Sequence, residues 1–409
     1  MDIKNFDELL RQIKTYIFDE EQINTITRAY LLAEELHKEQ RRQSGEPYII
    51  HPLNVAYILT QMHADAETVS AALLHDTIED TAITKEEIEK QFGKEIATLV
   101  DGVTKMSKLN FTSEEEQIAS NTRKIITSLD DDVRIVIIKL ADRMHNIRTL
   151  QYKSKYKQRE TALKTMEIFV PLAYCLGSYS IKSELENNSL AYLKRKKYAK
   201  IKDTLELMSD ENDLVIAKSI EEVGNLLADN NMNFEIEKRI KSSSGIYEQL
   251  HVGKKISEIH DLLALKIMLD ERMDCYHALG LIHEKYMPMN SEFKDLIARP
   301  KTNMYRSIHT TVFGPNDHFV QMQIRTKDMH KIDMQGLTAY WDLYGDNAKE
   351  KMQEDLQTQI KFFQGMNELN SFTSKNTEFV ERIKKELAEI GLTEEMDIEL
   401  SCGKEEGEE

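Results

Sequence analysis

His75, Asp76, Glu79 and Asp80 set one imidazole and three carboxylates in the otherwise apolar run Ala71-Ala72-Leu73-Leu74-His75-Asp76-Thr77-Ile78-Glu79-Asp80-Thr81. At helical periodicity His75 and Glu79 are four apart, as are Asp76 and Asp80, so the spacing predicts a helix with all four on adjacent stripes of one face. No Lys or Arg lies between residues 64 and 84 to pair with these acids. A solvated face of i,i+4 ion pairs is therefore the weaker reading and a divalent-metal site the stronger.

Two further segments can complete such a site. His51, in Tyr48-Ile49-Ile50-His51-Pro52, precedes a proline suited to the first position of a helix, which would hold the imidazole at the helix entrance. Alone, it reads as a capping or core histidine. In Ile137 to Leu150, Lys139, Asp142, Asn146 and Thr149 share one helical face, and the apolar neighbours make the same helix a core element. The set His51, His75, Asp76 and Asp142 offers two imidazoles and two carboxylates. Such a set suits Mn²⁺, Fe²⁺ or Zn²⁺, and the residue types do not choose among them.

The elements that must position these groups fall into two textures. Residues 1 to about 195 read as nearly continuous amphipathic helices. The basic stretch Arg195-Lys196-Lys197-Tyr198-Ala199-Lys200 leads out of them. From Asn233 onward, strand-like runs at Phe234–Glu237, Ala264–Leu269 and Phe319–Ile324 alternate with helical patterns such as 276–287, which predicts an α+β domain. After Gly345 the chain returns to charged helical sequence and ends Glu405-Glu406-Gly407-Glu408-Glu409, an expected disordered acidic tail. The expected bounds are 1–195, 196–345 and 346–409.

With 409 residues and 41% apolar content the chain can build more than one core. Its 54 basic against 71 acidic side chains give −17, which argues against broad attraction to nucleic acid or to an anionic membrane. Anionic ligands must then meet local cationic clusters. Cys175, Cys275 and Cys402 form neither a metal spacing nor a disulfide framework. No apolar run reaches transmembrane length and no signal peptide opens the chain, so a soluble cytoplasmic protein is expected.

From about Tyr30 to Tyr344 the chain resembles the RelA/SpoT homologues, long enzymes that make and degrade the alarmones ppGpp and pppGpp. The first half carries the resemblance in Arg42-Gln43-Ser44-Gly45-Glu46-Pro47-Tyr48-Ile49-Ile50-His51-Pro52, the His75-Asp76 block, Leu99-Val100-Asp101-Gly102-Val103-Thr104-Lys105 and Lys139-Leu140-Ala141-Asp142-Arg143-Met144-His145-Asn146. The second half carries it in Phe293-Lys294-Asp295, Tyr305-Arg306-Ser307-Ile308-His309-Thr310-Thr311-Val312 and Gln323-Ile324-Arg325-Thr326. The resemblance implies an all-α HD-type hydrolase domain, an α+β nucleotidyltransferase-like synthetase domain and a helical C-terminal extension. Long family members continue into ligand-sensing and ribosome-engaging regions that this sequence does not contain, so ribosome coupling is not expected. A homo-oligomer is compatible with the resemblance.

In the first domain the resemblance implies removal of the 3′-pyrophosphate of ppGpp or pppGpp, returning GDP or GTP. Mn²⁺ is the expected ion at His51, His75, Asp76 and Asp142, with Glu79 and Asp80 orienting or deprotonating the attacking water. Arg42, Lys139 and Arg148 are the cations expected at the phosphates, and Ser44, Asn146 and Thr149 the polar contacts. For Arg148 an exposed helix cation is the plain alternative. The family pattern has Lys where Gln43 stands, which removes one cationic contact.

The second domain departs from the synthetase pattern where the chemistry lies. Asp261 matches the family's Mg²⁺-binding aspartate, but Gln321 replaces the glutamate that opens Glu-x-Gln-Ile-Arg-Thr, and an amide supplies neither metal charge nor a general base. Gln249 replaces a phosphate-binding lysine. Arg239, Lys241, Tyr305, expected to stack on the acceptor guanine, and His309 remain. The expectation is a degenerate synthetase that keeps a nucleotide pocket, with Mg²⁺ relevant only if synthesis survives. The alternatives are a bifunctional synthetase/hydrolase, an HD phosphohydrolase acting on another 3′-phosphorylated nucleotide, and a nucleotide-responsive binding protein.

Overall fold

Polar side chains set the helix starts in the first half. Asn5, Asp19, Asp65, Thr84, Asp132, Ser154 and Ser178 each accept a backbone N–H in the first turn of the helix that follows, satisfying donors that the helix itself leaves open. The protein is described here from a computed structural model over residues 2–107, 132–301, 303–315 and 318–355. Phe6–Ile13, Glu20–His37, Ile50–Thr60, Ala66–Leu74, Lys85–Phe92, Lys94–Ser107 and Val133–Arg148 are the helices around the expected metal site. Val133–Arg148 is buried almost all round, so it is the central rod of this core.

Two local expectations are corrected. The helix predicted through residues 71–81 ends at Leu74 and resumes as the single turn Thr77–Asp80, with His75 and Asp76 at the joint. Thr77 Oγ1 donates to Leu74 O at 2.6 Å, a side-chain bond that competes with the regular ladder. Pro52 lies in the first turn of Ile50–Thr60 but not at its first position; its missing N–H is harmless anywhere in that turn.

The second half is the expected α+β unit. Five strands, β1 Phe234–Ile240, β2 Leu263–Leu269, β3 Lys294–Asp295, β4 Ile308–Phe313 and β5 Phe319–Thr326, form one sheet in the order β1-β2-β5-β4-β3. Only β2 and β5 run parallel. Val320, Met322 and Ile324 on β5 join Leu265, Ile267 and the helices Ser209–Asp229 and Arg272–Lys285 in the second core. By strand alternation Gln321, Gln323 and Arg325 take the opposite face.

Leu337, Ala339, Tyr340, Trp341, Ala348 and Met352 pack into the first core rather than the second. Trp341 Nε1 donates to Asp65 Oδ2 at 3.1 Å, and Lys349 reaches Glu95. Residues 348–355 continue as helix, and the expected acidic tail lies outside the described residues. No helix among the described residues is long and apolar enough to cross a membrane.

The two units meet closely at Gly336, where Leu337 N donates to Leu176 O at 2.9 Å. Gly336 has φ +66°, and a Cβ there would stand 2.0 Å from Leu176 O. Gly336→Ala is expected to cost about 3 kcal/mol or more, combining a left-handed backbone with a backbone clash. A urea midpoint equal to wild type would show that these backbones part without cost.

Candidate metal centre and second cavity

Ligand atoms of His51, His75 and Asp142 all lie within 4.8 Å of one another in the first core. His51 is 3% exposed, His75 1% and Asp142 4%, so an uncompensated cluster of this kind would be costly. His51 Nε2 stands 3.1 Å from Asp142 Oδ1 and 3.6 Å from Asp76 Oδ2, and His75 Nε2 3.2 Å from Asp76 Oδ1. The structure thus brings together the four groups expected from three separate segments.

Which nitrogen each imidazole presents follows from its other partner. His75 Nδ1 faces Ala72 O at 2.8 Å; a carbonyl only accepts, so Nδ1 carries the proton. His75 Nε2 is left buried without a hydrogen-bond partner. His51 Nδ1 faces His145 Nδ1 at 2.7 Å, and Arg42 Nη1 approaches that same His145 nitrogen at 3.3 Å. Arginine only donates, so His145 Nδ1 is the acceptor, His51 Nδ1–H is the donor, and His51 Nε2 turns toward Asp142. Ligand atoms of the two imidazoles and Asp142 converge, with Asp76 beside both rings, which fits a divalent ion.

The electrostatics agree. Burial would raise Asp142, but the Lys139 ammonium and His51 hold its carboxyl well below the usual carboxylate range. Burial likewise opposes ionisation of Asp76, and His75 and His51 overcome it. Burial, helped by His51 and Arg42, pushes His145 down to about 2, so it stays a neutral acceptor. For His75 the neighbouring Asp76 outweighs burial and raises the proton affinity, so an ion at this position competes with a proton there.

The remaining expected residues divide by partner. Arg42 projects from the loop closed by Arg42 N to Glu46 O at 2.9 Å and also reaches Asn146 Oδ1 at 3.2 Å. Ser44 Oγ donates to Glu46, Thr149 Oγ1 to His145 O, and Asn146 Nδ2 to Asp142. Two of the expected phosphate cations are engaged elsewhere in this structure. Lys139 donates to Asp142 Oδ2 at 2.6 Å and to Ser107 Oγ at 2.8 Å, and Arg148 pairs with Glu184 through two nitrogens. Glu79 and Asp80 are exposed on the short turn Thr77–Asp80 that follows Asp76.

Two residues with evident positioning roles escaped sequence reasoning. Tyr48 Oη donates to Asp76 Oδ2 at 2.7 Å and lies 3.0 Å from Asp80 Oδ2, bridging the metal site to the short turn. His145 orients His51. Its spacing of three from Asp142 was the available signal. His145→Phe is expected to lower Mn²⁺ affinity ~10–100-fold, the usual effect of losing an orienting partner. Calorimetric titration with Mn²⁺ reads this, and an unchanged affinity removes His145 from the site.

In the second unit Arg239, Lys241, Asp261, Tyr305, His309 and Gln321 all line one cavity of about 160 Å³. Tyr179, from the helix Tyr179–Leu193 of the first core, closes it with its hydroxyl 3.5 Å from Arg239. Tyr305 is more committed than a free stacking ring. Its hydroxyl accepts from Arg325 at 2.9 Å and shares a hydrogen bond with His309 Nε2 at 2.6 Å.

Residues 29–179 match the model of the HD domain, and residues 238–348 that of the region found in RelA/SpoT proteins. The chain is 42% identical over 323 residues to a GTP pyrophosphokinase of Myxococcus xanthus, covering 78% of this chain and 43% of that protein. It is 38% identical over 385 residues to a guanosine-3′,5′-bis(diphosphate) 3′-pyrophosphohydrolase of Spiroplasma citri, covering 93% and 51%. The bifunctional (p)ppGpp synthase/hydrolase SpoT of Escherichia coli is 38% identical over 383 residues, with 93% and 54% covered. The chain therefore spans about half the length of the curated relatives it matches. With both domain models in this order and homology over most of its length, the chain belongs to the RelA/SpoT family.

Proposed function

We propose that the chain is a metal-dependent hydrolase that removes the 3′-pyrophosphate of ppGpp and pppGpp, yielding GDP or GTP and pyrophosphate in cytoplasmic alarmone turnover. The observation that carries this reading is the buried convergence of His51, His75 and Asp142, with Asp76 in contact with both imidazoles. A divalent ion held there, taken as Mn²⁺, supplies Lewis acidity for the phosphoryl group and for water. Glu79 accepts the water proton, Asp80 orients the water, and Arg42 meets the phosphates with Ser44, Asn146 and Thr149 around it. Lys139 holds Asp142 in place.

The second unit is proposed to be silent in synthesis, because Gln321 has no charge for Mg²⁺ and no basic oxygen for the acceptor hydroxyl. The hydrolase unit is taken as 1–195 and the synthetase-like unit as 196–345, with the chain from Gly336 onward closing on the hydrolase core. Guanine nucleotide in the second cavity is proposed to bias hydrolysis, by ~1–3 kcal/mol for a typical coupling.

The test incubates the purified chain with Mn²⁺ and, separately, ppGpp, pppGpp and NADPH, then with Mg²⁺, ATP and GDP. Release of pyrophosphate from the alarmones without ppGpp formation is expected. Turnover of NADPH alone moves the substrate to another 3′-phosphorylated nucleotide, and robust synthesis makes the enzyme bifunctional. Hydrolysis unaffected by GDP or GTP, in wild type and in Tyr305→Ala, defeats the regulatory claim.

A further inference from the structure

The position that a Mg²⁺ ion would need in the second cavity presents a hydrogen-bond donor. On β5, Arg325 is fully buried and pairs with Asp333; its Nη2 donates to Gln323 Oε1 at 2.7 Å. Since arginine only donates, that end of the Gln323 amide is the oxygen, and its Nε2 must point the other way. It does, donating to Gln321 Oε1 at 2.7 Å. The relay therefore spends the Gln321 oxygen and leaves its NH₂, which has no partner among the described residues, at the cavity wall.

The second expected metal ligand is also spent. Lys241 Nζ sits 2.5 Å from Asp261 Oδ2, with the ammonium side chain 13% exposed, so its charge already neutralises the carboxylate. Other acids at the wall are engaged as well: Asp333 with Arg325, Glu258 with Lys255 N, and Glu292 with His260. Arg239 makes one long hydrogen bond among the described residues, 3.5 Å to Tyr179 Oη, and keeps donors for an incoming anion. Mg²⁺ needs an octahedron of oxygens, commonly built on one or two carboxylates and substrate phosphates. The Gln321 amide, Lys241 and Arg239 supply nitrogen donors instead, and this donor set does not fit the ion.

We infer that the second cavity binds the phosphates of a nucleoside diphosphate, or inorganic pyrophosphate, without a divalent cation. Gln321 NH₂, Arg239 and the remaining N–H groups of Lys241 take the place of the ion as hydrogen-bond donors to the charged phosphates. The inference rests on the proposed reading of this unit as nucleotide-binding but silent in synthesis.

The experiment is calorimetric titration of the full chain with GDP and with inorganic pyrophosphate, in Mg²⁺ and in excess EDTA, using a His75→Ala background to suppress metal binding at the first site. Affinity in excess EDTA is expected to equal or exceed that in Mg²⁺, since no ion contributes at the site and Mg²⁺ in solution only ties up free diphosphate. Lys241→Gln is expected to weaken binding ~10–100-fold in both, the scale of one charged hydrogen bond. Gln321→Glu, nearly isosteric and so able to carry the test if the lysine variant does not fold, is expected to weaken binding ~10-fold in EDTA and to regain it with Mg²⁺. Binding of both probes supports a site centred on the phosphates, and binding of GDP alone supports one that also needs the nucleoside. Binding of neither probe, a loss of ~10-fold or more on adding EDTA to the background protein, or a Gln321→Glu profile identical to it, overturns the inference. Synthesis of ppGpp by the wild-type chain would instead overturn the reading on which it rests.

Discussion

Asp76→Ala and His75→Ala are each expected to reduce ppGpp hydrolysis ~10³-fold or more, because losing the ion removes several kcal/mol of transition-state stabilisation. Asp76 is the better probe of chemistry. Its side chain is 16% exposed, and it contacts His51, His75 and Tyr48 without holding a lysine. Asp142 is a poorer choice, since its loss strands the Lys139 ammonium in a buried site and costs folding as well as metal. The measurement pairs turnover with metal content and melting temperature. Metal-stripped wild type is expected to match the variants, and unchanged turnover in any of the three defeats metal dependence.

Glu79→Gln is expected to keep stoichiometric metal and wild-type stability while losing ~10²–10⁴-fold in rate, the usual contribution of a general base. The structure separates the two exposed acids of the short turn. Asp80 Oδ2 lies 3.0 Å from the Tyr48 hydroxyl, whereas Glu79 has no protein partner among the described residues. A carboxylate with open lone pairs suits the role proposed for Glu79, taking a proton from water. Asp80→Asn should therefore cost less than Glu79→Gln, and full activity of Glu79→Gln with bound metal removes Glu79 from the mechanism.

Much of this protein is legible in short-range pattern. Helical periodicity marks the first half, and the central helix Val133–Arg148 carries Lys139, Asp142 and Asn146 as its spacing predicts. Period-two alternation marks β5, which sends Val320, Met322 and Ile324 to the core and Gln321 to the cavity wall. Residue type and helical spacing together offer His51, His75, Asp76 and Asp142 as a candidate ligand set, because few other uses suit paired imidazoles and carboxylates on apolar elements. The change from Glu to Gln at position 321 is likewise visible in the letters of the chain, set against the family pattern.

What only the tertiary structure decided are the partners. His51 and His145 are 94 residues apart, and their contact, with Arg42 arriving from a third segment, determines which His51 nitrogen faces Asp142. Arg148 reads as a candidate phosphate cation until Glu184 is seen beside it, and Lys139 until Asp142 and Ser107 are. The return of Trp341 to Asp65 crosses 276 residues. Gln321 shows the division most directly: its identity removes a carboxylate, but the direction of its amide is set by a relay ending in Arg325 and Asp333. Local pattern encodes which face a side chain takes, whereas a donor or acceptor is assigned only when a group from elsewhere in the chain arrives to satisfy it.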